Sequence, residues 1–119
     1  KNAMRVRKVL GGGMRQVGFM AAAGLYALEN HIERLALDHQ KAKEIGEALS
    51  NHPEVKSVEP VETNIVIFYL NDSVSEKEFL NKLFAKHIQI SNMGQGKFRL
   101  VTHLDYTDEM HDFLLNTLS

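Results

Sequence analysis

Three consecutive glycines, Gly11-Gly12-Gly13, are followed by Met14-Arg15-Gln16 and then by a long apolar segment. That combination suits an anion. Glycines let the backbone approach a ligand closely, a helix start presents N–H groups with no partner inside the helix, and arginine adds a forked, permanent charge. Phosphate or carboxylate is the chemistry such residues favour; a flexible loop with a surface arginine is the plainer account of them. The glycine spacing is not that of a dinucleotide fingerprint, since a basic helix and not a strand precedes it, and no Walker-type phosphate loop is present.

Arg99 is a second candidate. Within a strand it alternates with Phe98 and Leu100, so it turns onto the opposite face of the sheet from those apolar side chains. Arginine there can grip a carboxylate through two parallel hydrogen bonds, or simply form a strand salt bridge. The six histidines, His31, His39, His52, His87, His103 and His111, include no i,i+4 pair and no zinc-protease carboxylate motif, so no metal is expected. His39 falls on an apolar helical stripe and reads as a core residue. His103 either lines a cleft near Arg99 or bonds to Asp105 or Thr102. No Ser-His-Asp arrangement follows from spacing.

These residues need a scaffold, and 119 residues suffice for one compact domain with a real core. The net charge is −1, yet Lys1, Arg5, Arg7, Lys8 and Arg15 place five positive charges in the first fifteen residues, leaving −6 on the remainder. Such asymmetry can mark a nucleic-acid arm. Interleaved aromatics are missing and the rest of the chain would repel phosphate, so a helix facing an anionic cofactor or a partner subunit is the better account, and no nucleic acid is expected. There is no cysteine, which excludes disulfides and thiolate metal sites and agrees with a cytoplasmic protein. No apolar run approaches the roughly 20 residues of a membrane span, and no membrane partner is expected.

Periodicity predicts one amphipathic helix over Val17–Ser50, through Leu25, Leu28, Ile32, Leu35, Ala42, Ile45 and Leu49. Phe19 to Leu28 is apolar nearly all round, which calls for burial by other protein. Pro53 ends the helix. Strands follow at Val55–Val61 and Asn64–Leu70, the second apolar on both faces and therefore central. Ser75 and Glu78 form a capping box for a helix to about Lys86 with the stripe Phe79, Leu80, Leu83, Phe84 and His87. Ile88–Ser91 and Lys97–Val101 read as a hairpin around the turn Asn92–Gly96. Thr107 caps a last helix with Met110, Phe113, Leu114 and Leu118 inward. The class is α+β: a small antiparallel sheet of about four strands, covered on one face by helices and preceded by a long amphipathic helix. The expected division is 1–50 for the basic helix, glycine loop and connecting helix, and 51–119 for the small α+β domain.

The run Arg7-Lys8-Val9-Leu10-Gly11-Gly12-Gly13-Met14-Arg15-Gln16 resembles low-specificity L-threonine aldolase. So do Ala21-Ala22-Ala23-Gly24-Leu25-Tyr26-Ala27-Leu28, Arg34-Leu35-Ala36-Leu37-Asp38-His39, Thr63-Asn64 and Phe98-Arg99-Leu100-Val101-Thr102-His103-Leu104-Asp105. The resemblance covers nearly the whole chain and is confined to the C-terminal third of that family. It implies the small domain of a fold-type-I pyridoxal-phosphate enzyme, a lyase cleaving threonine or allo-threonine to glycine and acetaldehyde. It further implies that the chain is a fragment, inactive alone, with the Schiff-base lysine upstream of Lys1. Arg99 would bind the substrate carboxylate, and Arg15 and Lys8 would lie by the cofactor phosphate. A homo-oligomer, dimer or tetramer, would form through the helix around Val17–Leu28. The alternatives are the small domain of another fold-type-I lyase or aminotransferase, or a stand-alone small-molecule-binding regulatory module.

Overall fold

The computed structural model describes residues 2–119; Lys1, counted above in the basic run, lies outside the described residues. The chain falls into two units, one ending at Arg34 and the other Leu35–Ser119. The first holds α1 (Asn2–Val9) and α2 (Val17–Asn30). The second holds α3 (Leu35–Ser50), β1 (Val55–Val58), β2 (Ile65–Leu70), α4 (Glu76–Ala85), β3 (Ser91–Gly94), β4 (Lys97–Val101) and α5 (Asp108–Leu118).

In the first unit the glycines serve the end of α1. Gly11 takes φ 83°, Gly11 N–H donates to Lys8 O at 3.3 Å, and Gly12 N–H donates to Arg7 O at 2.7 Å. This is the Schellman stop, in which a left-handed residue lets the last turn's carbonyls find partners. A Cβ on Gly12 would sit 2.7 Å from Arg7 Cγ. Helix α2 begins only at Val17, with Gln16 as N-cap, so Arg15 precedes the helix and does not occupy its first turn. None of the residues of α1 or α2 is buried.

The single helix expected over Val17–Ser50 is two. Helix α2 closes with His31 N–H donating to Ala27 O at 2.9 Å, the Asn30 side-chain amide folds back onto Tyr26 O at 2.8 Å, and residues 31–34 form turns. In α3 the buried stripe is Asp38, Ala42, Ile45, Gly46 and Leu49. It passes through Asp38, leaving His39 half-buried and Leu35 exposed. Gly46 permits close approach of the segment after β1, since a Cβ there would lie 2.8 Å from Val61 Cγ2.

The sheet runs β1-β2-β4-β3, antiparallel throughout. Its two central strands pair Val66 with Leu100, Ile67 with Arg99 and Phe68 with Phe98. One face carries the buried Val66, Phe68, Leu70 and Phe98. Phe68 and Phe98 stack at 5.5 Å between centroids, and Phe79 of α4 meets them edge-on or tilted at 6.1 and 5.8 Å. Burying such rings contributes about 1.5–3 kcal/mol each, which fixes this face as the helix-covered one. Ile65 and Val101, on the other face, are exposed.

The second hairpin is displaced from its expected position. Ile88–Ile90 are not strand; β3 starts at Ser91 and the turn narrows to Gln95 and Gly96, with φ 56° and 73°. Two positive φ values are what a tight type I′ turn needs. Glu76 locks this hairpin to α4, accepting Gly96 N–H at 2.6 Å and Asn92 Nδ2 at 3.0 Å, and these two contacts hold its carboxyl below the ordinary range.

Ser75 and Thr107 cap α4 and α5 through Glu78 N–H and Met110 N–H. The buried faces are Phe79 and Leu83 in α4 and His111, Leu114 and Leu118 in α5. Phe84, Met110 and Phe113, expected inward, are more than half exposed, because each lies about 100° around its helix from the buried stripe. Helix α4 ends in a second Schellman stop: His87 N–H donates to Phe84 O at 2.9 Å and Ile88 N–H to Leu83 O at 3.0 Å. His87 holds the left-handed position at φ 59°. A residue with a Cβ pays about 1–2 kcal/mol for that conformation where glycine does not.

Candidate functional site

Strand β4 positions the site. Phe98 and Leu100 point to the core, so Arg99 between them is exposed on the opposite face. Pairing of β3 extends no further than Ser91 with Arg99, and beyond that point the segment 86–90 leaves the sheet. A cleft of about 620 Å³ opens between this segment, the end of β4 and α5, lined among others by Lys86, His87, Arg99, His103 and Phe113.

The end of β4 is held firmly. Thr102, 1% exposed, donates its hydroxyl to Asp38 O at 2.7 Å and its N–H to Asn64 O at 3.0 Å, while the Asn64 amide donates to Thr102 O at 2.7 Å. Asn64 and Thr102 thereby join both central strands to α3. His103 follows, its Nδ1 accepting Asp105 N–H at 3.2 Å, so it both lines the cleft and makes one of its two expected local bonds.

Behind the cleft, Tyr106 and His111 join α5 to α3. His111, 6% exposed, contacts Glu44 Oε2 through Nε2 at 2.6 Å and Tyr106 Oη through Nδ1 at 3.3 Å. A neutral ring carrying its proton on Nε2 satisfies both contacts. Burial pushes the Tyr106 phenol up to about 12, so its hydroxyl remains a donor at neutral pH. Lys41 donates to Tyr106 O at 3.0 Å and pairs with Asp108 at 2.6 Å.

The electrostatics of the cleft are one-sided. Its lining includes Lys86, Arg99, His87 and His103, and no Asp or Glu. Among the described residues Arg99 makes no ion pair or hydrogen bond, so the strand salt bridge weighed for it is not formed. An unpaired guanidinium in an acid-free cleft attracts an anion, and carboxylate matches its fork.

Lys8 and Arg15 lie in the first unit, both exposed, Lys8 in the last turn of α1 and Arg15 just ahead of α2. Gln16 gives α2 no side-chain cap, so N–H groups of its first turn remain available beside Arg15, as a phosphate would require. Among the described residues, no three acidic or histidine side chains gather where a metal ion could sit, and no helix is long and apolar enough to cross a membrane. Lys86 and His87 escaped the sequence reading. His87 fitted the stripe of α4, and the usual marker of a helix stop, glycine, is absent there.

Residues 1–73 match the model of the beta-eliminating lyase family, and the chain belongs to that family. It is 34% identical to low-specificity L-threonine aldolase 1 of Arabidopsis thaliana, over 90% of this chain and 31% of that protein. It is 37% identical to low specificity L-threonine aldolase of Escherichia coli, over 92% and 31%. The chain thus spans about a third of the length of these curated relatives. A solved cystine C–S lyase, in complex with its product cysteine persulfide, has a similar fold, with a TM-score of 0.62 at 19% identity over 85% of this chain and 28% of that one. The α+β class and the fold-type-I setting follow, and membership of the family implies pyridoxal phosphate as cofactor.

Proposed function

We propose that this chain forms the carboxylate-binding part of a pyridoxal-phosphate-dependent L-threonine aldolase, which cleaves threonine or allo-threonine to glycine and acetaldehyde. The observation that carries this reading is the unpaired Arg99 in a cleft lined by no acid. The relatives named above point to the same substrate class.

Arg99 grips the substrate carboxylate by two parallel hydrogen bonds, and that grip fixes rotation about the bonds to Cα. Leu100 and Phe113 give the cleft apolar walls that limit water around the clamp and strengthen it. Arg15 and the open first turn of α2 hold phosphate oxygens, with Lys8 adding charge. The cofactor, when bound, supplies the electron sink for Cα–Cβ cleavage. Helix α2, with Phe19 80% and Leu28 65% exposed, supplies an oligomer surface for a dimer or tetramer, and the absence of cysteine is in keeping with a cytoplasmic enzyme.

The test is product analysis with the complete enzyme. Glycine and acetaldehyde from L-threonine support the aldolase. The family description favours a second reading, β-elimination on another amino acid; release of a 2-oxo acid and ammonia, with no glycine, would replace the first reading with it.

A further inference from the structure

We infer that His87 is a second substrate-contacting residue of the Arg99 cleft, acting beside the carboxylate clamp. The inference rests on the reading of Arg99 given above and extends it to a residue outside the strand.

The chain stops two helices in the same way and treats them differently. At α1 the left-handed position belongs to Gly11, with φ 83°, the residue that takes this conformation at no steric cost. At α4 the hydrogen bonds of the stop are the same in kind, yet the position is held by His87 at φ 59°. Histidine tolerates this region better than most residues, but less well than glycine.

Nothing within the fold accounts for the imidazole. Among the described residues His87 makes no side-chain hydrogen bond, ion pair or ring contact, and it is exposed. It lines the cleft together with Arg99 and His103. His103 already spends Nδ1 on Asp105 N–H, whereas both nitrogens of His87 are available. A neutral imidazole has one donor for a substrate oxygen and one acceptor for an ammonium or hydroxyl proton. A strained position that brings an otherwise idle donor to a ligand cleft is a backbone outlier with a functional explanation.

The substitution that separates binding from folding is His87→Gly, because glycine relieves the left-handed strain while removing the ring. Equilibrium binding of glycine to the complete holoenzyme is measured for the parent, His87→Gly and Arg99→Lys, with thermal melting of each. Expected for His87→Gly is an unchanged or higher melting temperature and a dissociation constant raised about tenfold, the scale of one hydrogen bond to a charged group. His87→Asn, which keeps hydrogen-bonding capacity and accepts the same φ, should lose less. If Arg99→Lys weakens glycine and His87→Gly does not, the cleft stands and the role of His87 is overturned. If neither weakens it, the reading of Arg99 falls as well. A lower melting temperature for His87→Gly also overturns the proposal, since the ring would then serve the fold.

Discussion

Arg99 and Ile67 stand directly opposite each other across the two central strands, on the face turned away from Phe68 and Phe98. The neighbour across the strand is apolar, so the guanidinium has no carboxylate to neutralise it there. Among the described residues its charge stays unpaired.

That relationship makes Arg99→Lys informative in the complete enzyme. Lysine keeps the charge and loses the two-pronged geometry. Truncating a charge-assisted contact costs about 2–5 kcal/mol, and this milder change should fall at the lower end. On the proposed function a carboxylate clamped by Arg99 is held in ground and transition states alike, so KM for threonine should rise more than kcat falls. Unchanged kinetics would move the clamp elsewhere.

Thr102→Val should weaken the fold without touching the cleft's charges. It removes the hydroxyl that donates to Asp38 O at 2.7 Å and leaves a buried carbonyl short of a partner. The expected cost is about 1–3 kcal/mol, read as a lower denaturation midpoint. A midpoint equal to the parent's would mean that water replaces the hydroxyl.

Acid should loosen the contact between α3 and α5. Hydrogen bonds from Gln40 and then His111 hold the Glu44 carboxyl below its ordinary value of 4.5. A carboxyl depressed in the folded state contributes stability that is present above the unfolded pKa and is lost as pH falls through the folded one. Melting temperature should therefore fall with acidification below 4.5, and less steeply for Glu44→Gln. Glu59 and Glu76, also depressed, add slope of the same sign, so the comparison with the variant isolates Glu44. Parallel curves would deny the hydrogen bonds to Glu44 any role.

Gly46→Ala should destabilise even though alanine favours helix. The added Cβ would stand 2.8 Å from Val61 Cγ2, and overpacking of this kind typically costs about 1–3 kcal/mol. A gain in stability would show that Val61 moves aside freely.

Exposed α2 should associate. Phe19, Met20, Leu25, Tyr26 and Leu28 are all exposed within one chain, an apolar surface uncommon on monomers. Light scattering is expected to report an oligomer, and Phe19→Asp to weaken it. A clean monomer at high concentration would defeat this expectation.

Much of the fold was legible because its signals are local. The alternation Phe98-Arg99-Leu100 determined which way Arg99 faces, Ser75 and Thr107 marked two helix starts, and the apolar run Val66–Leu70 marked a central strand. The glycine triplet left its local role open because one residue type serves both anion loops and helix stops; the bonds from Gly11 and Gly12 back to Lys8 and Arg7 show that it closes α1. The break after Asn30 has no proline or glycine to announce it, and the apolar spacing carries straight through it. The inward faces of α4 and α5 depended on a rotation of about 100° about each axis, which periodicity leaves open when apolar residues sit on adjacent faces. His111 and Glu44 are separated by a long stretch of chain and meet only through tertiary packing, while His87 and Arg99, much closer in sequence, share a cleft only because the segment 86–90 leaves the sheet. The sequence by itself determined most of the elements, the class and the direction of Arg99, since each follows from near neighbours along the chain. Tertiary structure alone decided which charges remained unpaired and which residues joined Arg99, because pairing depends on distances in space that chain spacing does not encode.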